Sequence, residues 1–136
     1  MKKIKNLKIW QEGIKIVLDI YKLTKKFLVE EKFGLISQMR RCAVSVPSNI
    51  AEGYGRNSDA ELNRFLNIAR GSSYELETQL IISSELGFIT VSQLERLAEQ
   101  LDCIQLGITN LQKNIKIIGI KFRATGAKPK AHCSKL

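Results

Sequence analysis

A chain of 136 residues with a net charge of +9 is long enough to bury one hydrophobic core, and it is strongly basic. No run of 18 apolar residues occurs, so a membrane-spanning helix is not expected, and no apolar segment follows the lysine-rich start as a secretion signal requires. The three cysteines are odd in number and far apart, which favours a reducing, cytoplasmic setting over a disulfide framework.

The charge is unevenly distributed along the chain. Residues 1–56 carry a net charge of +7, residues 57–112 carry −5, and residues 113–136 carry +7. This basic–acidic–basic layout predicts a polyanionic partner, self-association between unlike surfaces, or both. The alternative is a basic protein whose charge only keeps it soluble.

The first predicted helix runs from about Asn6 to Leu28. Its apolar stripe keeps a spacing of three and four residues, with one threonine among the members, and consists of Leu7, Trp10, Ile14, Val17, Tyr21, Thr24 and Leu28. We interpret Trp10 as a core residue, with an anchor for a base or a partner as the alternative. Ile9, Ile16 and Ile20 lie off this stripe, and we expect them at a subunit interface.

The second predicted helix runs from about Phe33 to Tyr54 and contains Pro47. Apolar and small residues continue in phase through this proline, in the series Ile36, Met39, Ala43, Val46, Ile50 and Gly53. The preserved phase favours one helix kinked at Pro47; the alternative is a new helix that starts at Ser45. Arg40 and Arg41 point about 100° apart on a helix. We therefore expect one of them to face solvent or phosphate and the other to pair within the bundle.

Two capping boxes mark the starts of the remaining helices, at Ser58–Glu61 and at Thr90–Gln93. The third helix, ended by Gly87, presents the apolar residues Leu62, Phe65, Leu66, Ala69, Leu76, Leu80 and Leu86. The fourth helix carries an unbroken apolar repeat: Leu94, Leu97, Leu101, Ile104, Ile108, Leu111, Ile115 and Ile118. Short connections predict an all-α, up-down-up-down antiparallel four-helix bundle at residues 1–119. Residues 120–136 are expected to form a flexible basic tail, which is either a nucleic-acid arm or a solubilising end.

Small residues occupy the middle of the third helix: Ala69, Gly71, Ser72 and Ser73. A glycine inside a helix costs about 1 kcal/mol relative to alanine, so we expect another helix to approach closely here. Pro47 leaves a backbone carbonyl without its usual donor. We therefore expect Ser72 or Ser73 to face Pro47 and to hydrogen-bond a carbonyl near Ala43 or Val44.

Two segments resemble a known family. SVPSNIAEGYGR at residues 45–56 and FLNIARGSSYELETQL at residues 65–80 resemble the bacterial four-helix-bundle proteins encoded in 23S rRNA intervening sequences. The same broad group includes the accessory variability determinant of diversity-generating retroelements, a reverse-transcriptase partner. The resemblance, over about Leu7 to Ile118, implies a homopentameric ring with a basic nucleic-acid-binding surface and no catalytic residue. The motif positions to which it gives structural roles are Ser45, Pro47, Asn49, Glu52, Gly53, Gly71, Ser72 and Glu75.

The residues needed for catalysis or for cofactor binding are missing. His132 is the only histidine and lies in the predicted tail, so no rigid Ser-His-Asp or Cys-His site and no Glu-x-x-His di-iron site is expected. Gly53 and Gly55 lack the later glycine and the preceding strand of a dinucleotide fingerprint. We therefore predict neither an enzyme nor a metal or cofactor site.

The leading hypothesis is a non-enzymatic homo-oligomer that binds RNA or DNA through backbone phosphates. The alternatives are an adaptor that docks a reverse transcriptase or another RNA-handling protein, and a structural oligomer whose charge only sets solubility. The candidate phosphate-binding residues are Lys8, Lys15, Lys22, Lys25, Lys26, Arg40, Arg41, Arg56, Lys121, Arg123, Lys128 and Lys130.

Overall fold

Four long helices make up the fold in a computed structural model that describes residues 2–122, with side chains for residues 4–115. They are α1 at Lys8–Thr24, α2 at Leu35–Gly55, α3 at Asp59–Glu85 and α4 at Val91–Phe122. A helical turn, Lys2–Lys5, precedes α1, and a 3-10 turn, Val29–Glu31, lies between α1 and α2. Each long helix packs on its neighbours along the chain and α4 packs on α1, which confirms the predicted four-helix bundle. Within residues 2–122, no helix is both long and apolar enough to cross a membrane.

The two predicted capping sites do begin α3 and α4. The Ser58 hydroxyl accepts the N–H of Glu61 at 3.1 Å, but the Glu61 carboxylate pairs with Arg64 at 2.7 Å and not with the Ser58 N–H, so only half of this predicted capping box forms. Thr90 and Gln93 cap each other, because each side chain accepts the backbone N–H of the other, at 2.9 and 3.0 Å. Such local contacts satisfy amides that the first turn of a helix leaves without partners.

Gly87 ends α3 as predicted. Its φ of +79° is the left-handed conformation that glycine adopts without steric cost. The N–H of Gly87 bonds the carbonyl of Ser84 at 3.0 Å, and the N–H of Phe88 bonds that of Ser83 at 2.9 Å. These two bonds form a Schellman motif, which stops the helix and turns the chain toward α4.

The face of α1 that enters the core differs from the prediction. Ile9, Ile16 and Ile20 are buried in the core, whereas Ile14 is 37% exposed and Leu28 is 59% exposed. The expectation that the three isoleucines lie at a subunit interface is therefore wrong. Trp10, Leu7 and Val17 of the predicted stripe are half-buried and pack at the edge of the core.

A glycine accounts for this orientation of α1. Gly13 is buried against α2, and a Cβ added to it would lie 3.1 Å from Cβ and 3.4 Å from Cα of Pro47. A side chain at this position would crowd the proline, so glycine favours this close approach of α1 to α2. The helix α2 continues through Pro47, so the alternative of a new helix at Ser45 is wrong, and a kink at Pro47 stays a prediction.

The serines of α3 have other partners than predicted. Ser72 Oγ lies 2.8 Å from Ser45 Oγ of α2, and Ser73 Oγ donates to the Arg70 carbonyl of its own helix at 2.6 Å. The predicted bonds to carbonyls near Ala43 or Val44 are therefore wrong. The expected close approach is also not at Gly71, since a Cβ added there would meet nothing within 4 Å.

The apolar seam of α4 is confirmed where its side chains are described. Leu97, Leu101, Ile104 and Ile108 are fully buried, and Leu94, Leu111 and Ile115 are partly buried at its ends. The helix continues past Gly119 to Phe122, while the Ile118 side chain and residues 123–136 of the predicted tail lie outside the described part. Polar contacts flank the seam: Gln100 donates to Asp19 of α1 at 3.1 Å, and Gln105 donates to Glu77 of α3 at 3.2 Å.

Candidate functional site

The predicted phosphate-binding cations divide into two groups by their partners. In the first group, Lys8 lies 3.9 Å from Glu12, Lys15 lies 3.8 Å from Asp19, and Arg56 lies 2.9 Å from Glu52. In the second group, no cation forms an ion pair with a carboxylate among residues 4–115; its members are Lys22, Lys25, Lys26, Arg40 and Arg41. The cations of the second group are therefore the ones not held in an ion pair within the described side chains.

The second group lies together at one end of the bundle. Three of its lysines are at the C-terminal end of α1, and its two arginines are in the first half of the antiparallel α2. Lys32, which sequence analysis did not select, belongs to the same region because it lies in the connection between these helices. We call this set the basic end; it consists of Lys22, Lys25, Lys26, Lys32, Arg40 and Arg41. Arg56 lies at the opposite end of α2 and is not part of it.

Arg40 is fixed between α1 and α2. Its Nε donates to Thr24 Oγ1 at 2.9 Å, and its guanidinium carbon lies 4.4 Å from the centre of the Tyr21 ring. Thr24 is itself buried, and its hydroxyl donates to the Ile20 carbonyl at 2.8 Å. Arg41 is exposed. The two arginines thus divide as expected, with Arg40 bonded inside the bundle and Arg41 facing solvent.

An open groove of about 650 Å³ lies between α1 and α2 beside these arginines. We call it the α1–α2 groove. Its lining combines apolar side chains, cations and hydroxyl groups: Tyr21, Lys32, Phe33, Ile36, Ser37, Arg40, Arg41, Val44, Ser45 and Ser48. Phe33 is 89% exposed. Sequence analysis missed Phe33 as a site residue, although an aromatic residue directly after Lys32 in a charged connection was a visible signal.

A smaller cavity of about 310 Å³ lies between α2 and α3, and it shares Arg41 and Ser45 with the groove. Cys42 and Glu75 also line it. Burial is the main cause that raises the pKa of the Cys42 thiol, which is not disulfide-bonded. Because the thiolate is the nucleophilic form, this cysteine is poorly suited to covalent catalysis. Among the described residues, no three His, Cys, Asp or Glu side chains are arranged to hold a metal ion.

Most of the motif residues lie where α2 meets α3. Ser45 contacts Ser72, and the Asn49 amide donates to both the carbonyl and the hydroxyl of Ser45 at 2.8 Å. At the far end of α2, a Cβ added to Gly53 would lie 3.0 Å from Phe65 Cβ. The small and polar residues that carry the resemblance thus coincide with a close helix–helix contact.

The remaining predicted cations are in the C-terminal part of the chain. Lys121 belongs to α4, but its side chain lies outside the described side chains. Arg123, Lys128 and Lys130 lie outside the described residues. The geometric evidence for a site therefore comes from the basic end alone.

Comparison with known proteins yields a family and a fold. A family model described as the 23S rRNA-intervening sequence protein matches residues 5–110. The chain is similar to the crystal structure of a protein of unknown function from the S23 ribosomal protein family of Bacteroides thetaiotaomicron, with a TM-score of 0.72 and 24% identity. That match covers 77% of this chain and 98% of the other. At this identity it establishes the fold alone. No curated protein matches the chain.

Proposed function

This chain belongs to the 23S rRNA-intervening sequence protein family, and we propose that it is a non-enzymatic, homo-oligomeric protein that binds RNA or DNA through backbone phosphates. The observation that carries the proposal is the basic end, where six cations gather without carboxylate partners among the described side chains. The proposal places this role in the cytoplasm.

The electrostatics of phosphate binding favour the basic end over the other cations. A lysine that already pairs with a carboxylate must lose that contact before it can bind a phosphate, whereas an unpaired lysine only exchanges its hydration. Lys22 is in the last turn of α1, and Lys25 and Lys26 follow directly after the end of this helix, so the three lysines lie close together along the chain. Each phosphate that they neutralise releases counterions, and this release drives binding without reading the base sequence.

A double variant of the basic end should bind RNA less tightly and with less salt dependence. For Lys22→Gln/Lys25→Gln, we expect the slope of log affinity against log salt to flatten by about 1.4, because each lost single-strand phosphate contact is worth about 0.7. Fluorescence anisotropy of a labelled single-stranded RNA across a salt series measures this slope.

The matched control removes the same charge from the N-terminal half of α1. In Lys8→Gln/Lys15→Gln, both lysines lie near carboxylates, so the slope should change less. If both double variants change the slope equally, only overall charge matters and the basic end is not the site. If the wild-type protein binds no RNA even at low salt, the nucleic-acid proposal fails.

We also propose that copies associate through opposite faces of the bundle. The outer face of α1 carries the exposed Ile14 and Leu18, and the outer face of α3 carries the exposed Tyr74 and Ile81. Because α1 and α3 are diagonal in the bundle, contact between one copy's α1 and the next copy's α3 is heterologous and can close into a ring. The net positive charge of the first segment and the net negative charge of the middle segment favour this pairing. The resemblance to the family suggests five copies.

Leu18→Glu is expected to dissociate the oligomer into monomers, since it places a charge in the middle of an apolar contact. Leu18 is 56% exposed in the single chain, so the bundle itself should remain folded. Light scattering after size-exclusion chromatography gives the mass of each variant. Val29→Glu, in the connection outside this face, should leave the mass unchanged. A monomeric wild-type protein, or an unchanged mass for Leu18→Glu, would contradict the proposal.

An adaptor that docks a reverse transcriptase or another RNA-handling protein is the second candidate. The exposed apolar residues Val29 and Phe33, at 82% and 89% exposure among cations, are the observation that favours it. A protein partner that covers an apolar centre loses less affinity with added salt than a nucleic acid does. The salt series therefore separates the two candidates.

A further inference from the structure

The α1–α2 groove has the charge of a polyanion site. Its lining contains three cations, Lys32, Arg40 and Arg41, and no carboxylate. None of the three forms an ion pair with a carboxylate in the part of the chain whose side chains are described. The hydroxyl groups of Ser37 and Ser48 add uncharged hydrogen-bonding groups along α2, whereas the Ser45 hydroxyl is already bonded to Ser72 and Asn49. The lining therefore suits phosphate oxygens.

Arg40 is held in place before any ligand arrives. Only its Nε is bonded among the described contacts, to Thr24 Oγ1 at 2.9 Å, and the Tyr21 ring lies against its guanidinium group. The terminal nitrogens remain available as a planar pair of donors, the arrangement that binds phosphate at two oxygens. Because Thr24 is buried, it anchors the arginine firmly and less side-chain freedom is lost on binding.

Phe33 gives the groove an exposed apolar surface, which a purely electrostatic site lacks. The ring lines the groove and is 89% exposed, and Lys32 Nζ lies 5.5 Å from its centre. Val44 adds a further apolar surface that is 40% exposed. A phosphate gains nothing from such surfaces, whereas an unstacked base has an apolar face that an aromatic ring can cover.

We infer that the α1–α2 groove binds an unpaired nucleotide of a single-stranded nucleic acid, with its base stacked on Phe33 and a neighbouring phosphate at Arg40 and Arg41. This inference rests on the proposed function and names the ligand class of that site. A duplex keeps its bases stacked on one another, so it can use the cations of the groove but not Phe33. The base identity matters little, since every base offers a flat face.

The test compares Phe33→Ala with wild type on two labelled RNAs, a 12-nucleotide single strand without self-complementarity and a 12-base-pair duplex. We expect Phe33→Ala to weaken single-strand binding by about 5-fold to 100-fold and to leave duplex binding unchanged. The slope with salt should stay the same, because no charge is removed. Phe33→Tyr, which keeps the ring, should retain single-strand binding.

Two controls make the outcomes distinct. Val29→Ala removes an equally exposed apolar side chain from the same connection but outside the groove lining, and it should bind like wild type. A polyglutamate peptide of twelve residues serves as a competitor with similar charge and no base. The inference is overturned if the polyglutamate peptide displaces the labelled single strand as well as unlabelled RNA does, and if Phe33→Ala weakens the binding of the peptide and of the single strand equally. In that case the groove fits an acidic protein segment.

The failure of the inference differs from the failure of the proposed function. If Phe33→Ala binds the single strand like wild type while Lys22→Gln/Lys25→Gln binds weakly, phosphate binding stands and base stacking is excluded. If Phe33→Ala weakens single strand and duplex alike, the ring does not distinguish unpaired bases and the inference again fails. If the wild-type protein binds neither RNA, both the inference and the proposed function fail.

Discussion

Ile16→Ala is expected to lower the free energy of unfolding by about 3 kcal/mol, whereas Ile14→Ala, two residues earlier in α1, should lower it by less than about 1 kcal/mol. Ile16 is fully buried, so its truncation removes apolar contacts and leaves a cavity in a packed core. Ile14 is 37% exposed and loses little on truncation. Urea denaturation followed by far-UV circular dichroism measures both values.

This pair of variants makes the same chemical change in the same helix, so helix propensity and denatured-state effects largely cancel. Both variants must be measured at one protein concentration, because Ile14 also belongs to the outer face proposed for self-association. Equal losses, or a larger loss for Ile14→Ala, would mean that the stripe predicted from sequence faces the core after all.

Gly13→Val should destabilise the bundle by about 3 kcal/mol. The new Cβ would lie 3.1 Å from Pro47 Cβ, and the two γ carbons would add further overlap with a rigid ring and with backbone. The helices α1 and α2 can relieve this overlap only by moving apart, which loosens the buried contacts on either side. Thermal unfolding should show a lower melting temperature, by roughly 5–15 °C for a chain of this size.

The control for this variant is Gly71→Val in α3. A Cβ at this position meets nothing within 4 Å in the single chain, so at protein concentrations where the chain is monomeric only the intrinsic preference against glycine in a helix operates. We expect its stability to rise by a few tenths of a kcal/mol. If Gly13→Val is as stable as wild type, the contact between α1 and Pro47 does not limit the approach of the two helices.

The parts of the fold that depend on local contacts could be predicted from the sequence. The mutual cap of Thr90 and Gln93 uses residues three positions apart, and the turn at Gly87 needs only the freedom of glycine. The repeat of leucine and isoleucine in α4 has one apolar face, so its buried side is unambiguous. In each case the sequence pattern contains the whole physical cause.

The face of α1 could not be predicted in this way, because α1 is apolar on two sides. Ile9, Ile16 and Ile20 keep the spacing of a core stripe only if Gly13 is counted among them, and a hydrophobic pattern gives glycine no weight. The role of Gly13 depends on its close contact with Pro47, which lies 34 positions later in the chain. A contact between helices therefore decided the orientation.

The candidate site was predicted in part. The basic residues of α1 and the pair Arg40 and Arg41 were visible in the sequence, and the spacing of four between Lys8 and Glu12 or Lys15 and Asp19 could have identified the paired lysines. The bond from Arg40 to Thr24 and the groove that contains Phe33 could not be predicted, since they depend on how α1 and α2 cross.

The packing of α4 on α1 bears on the order in which the protein folds during synthesis. Gln100 and Asp19 are 81 positions apart, and Cys103 lies 91 positions from Glu12, with 3.4 Å between its sulfur and a carboxylate oxygen. Helices α1, α2 and α3 can pair with their neighbours as they leave the ribosome, because these contacts are close in the chain. The side of α1 that carries Ile9 packs against Gly107 of α4, so it is covered only when the last helix has been made. In nascent chains that stop before Val91, the side of the core that α4 normally covers is therefore exposed.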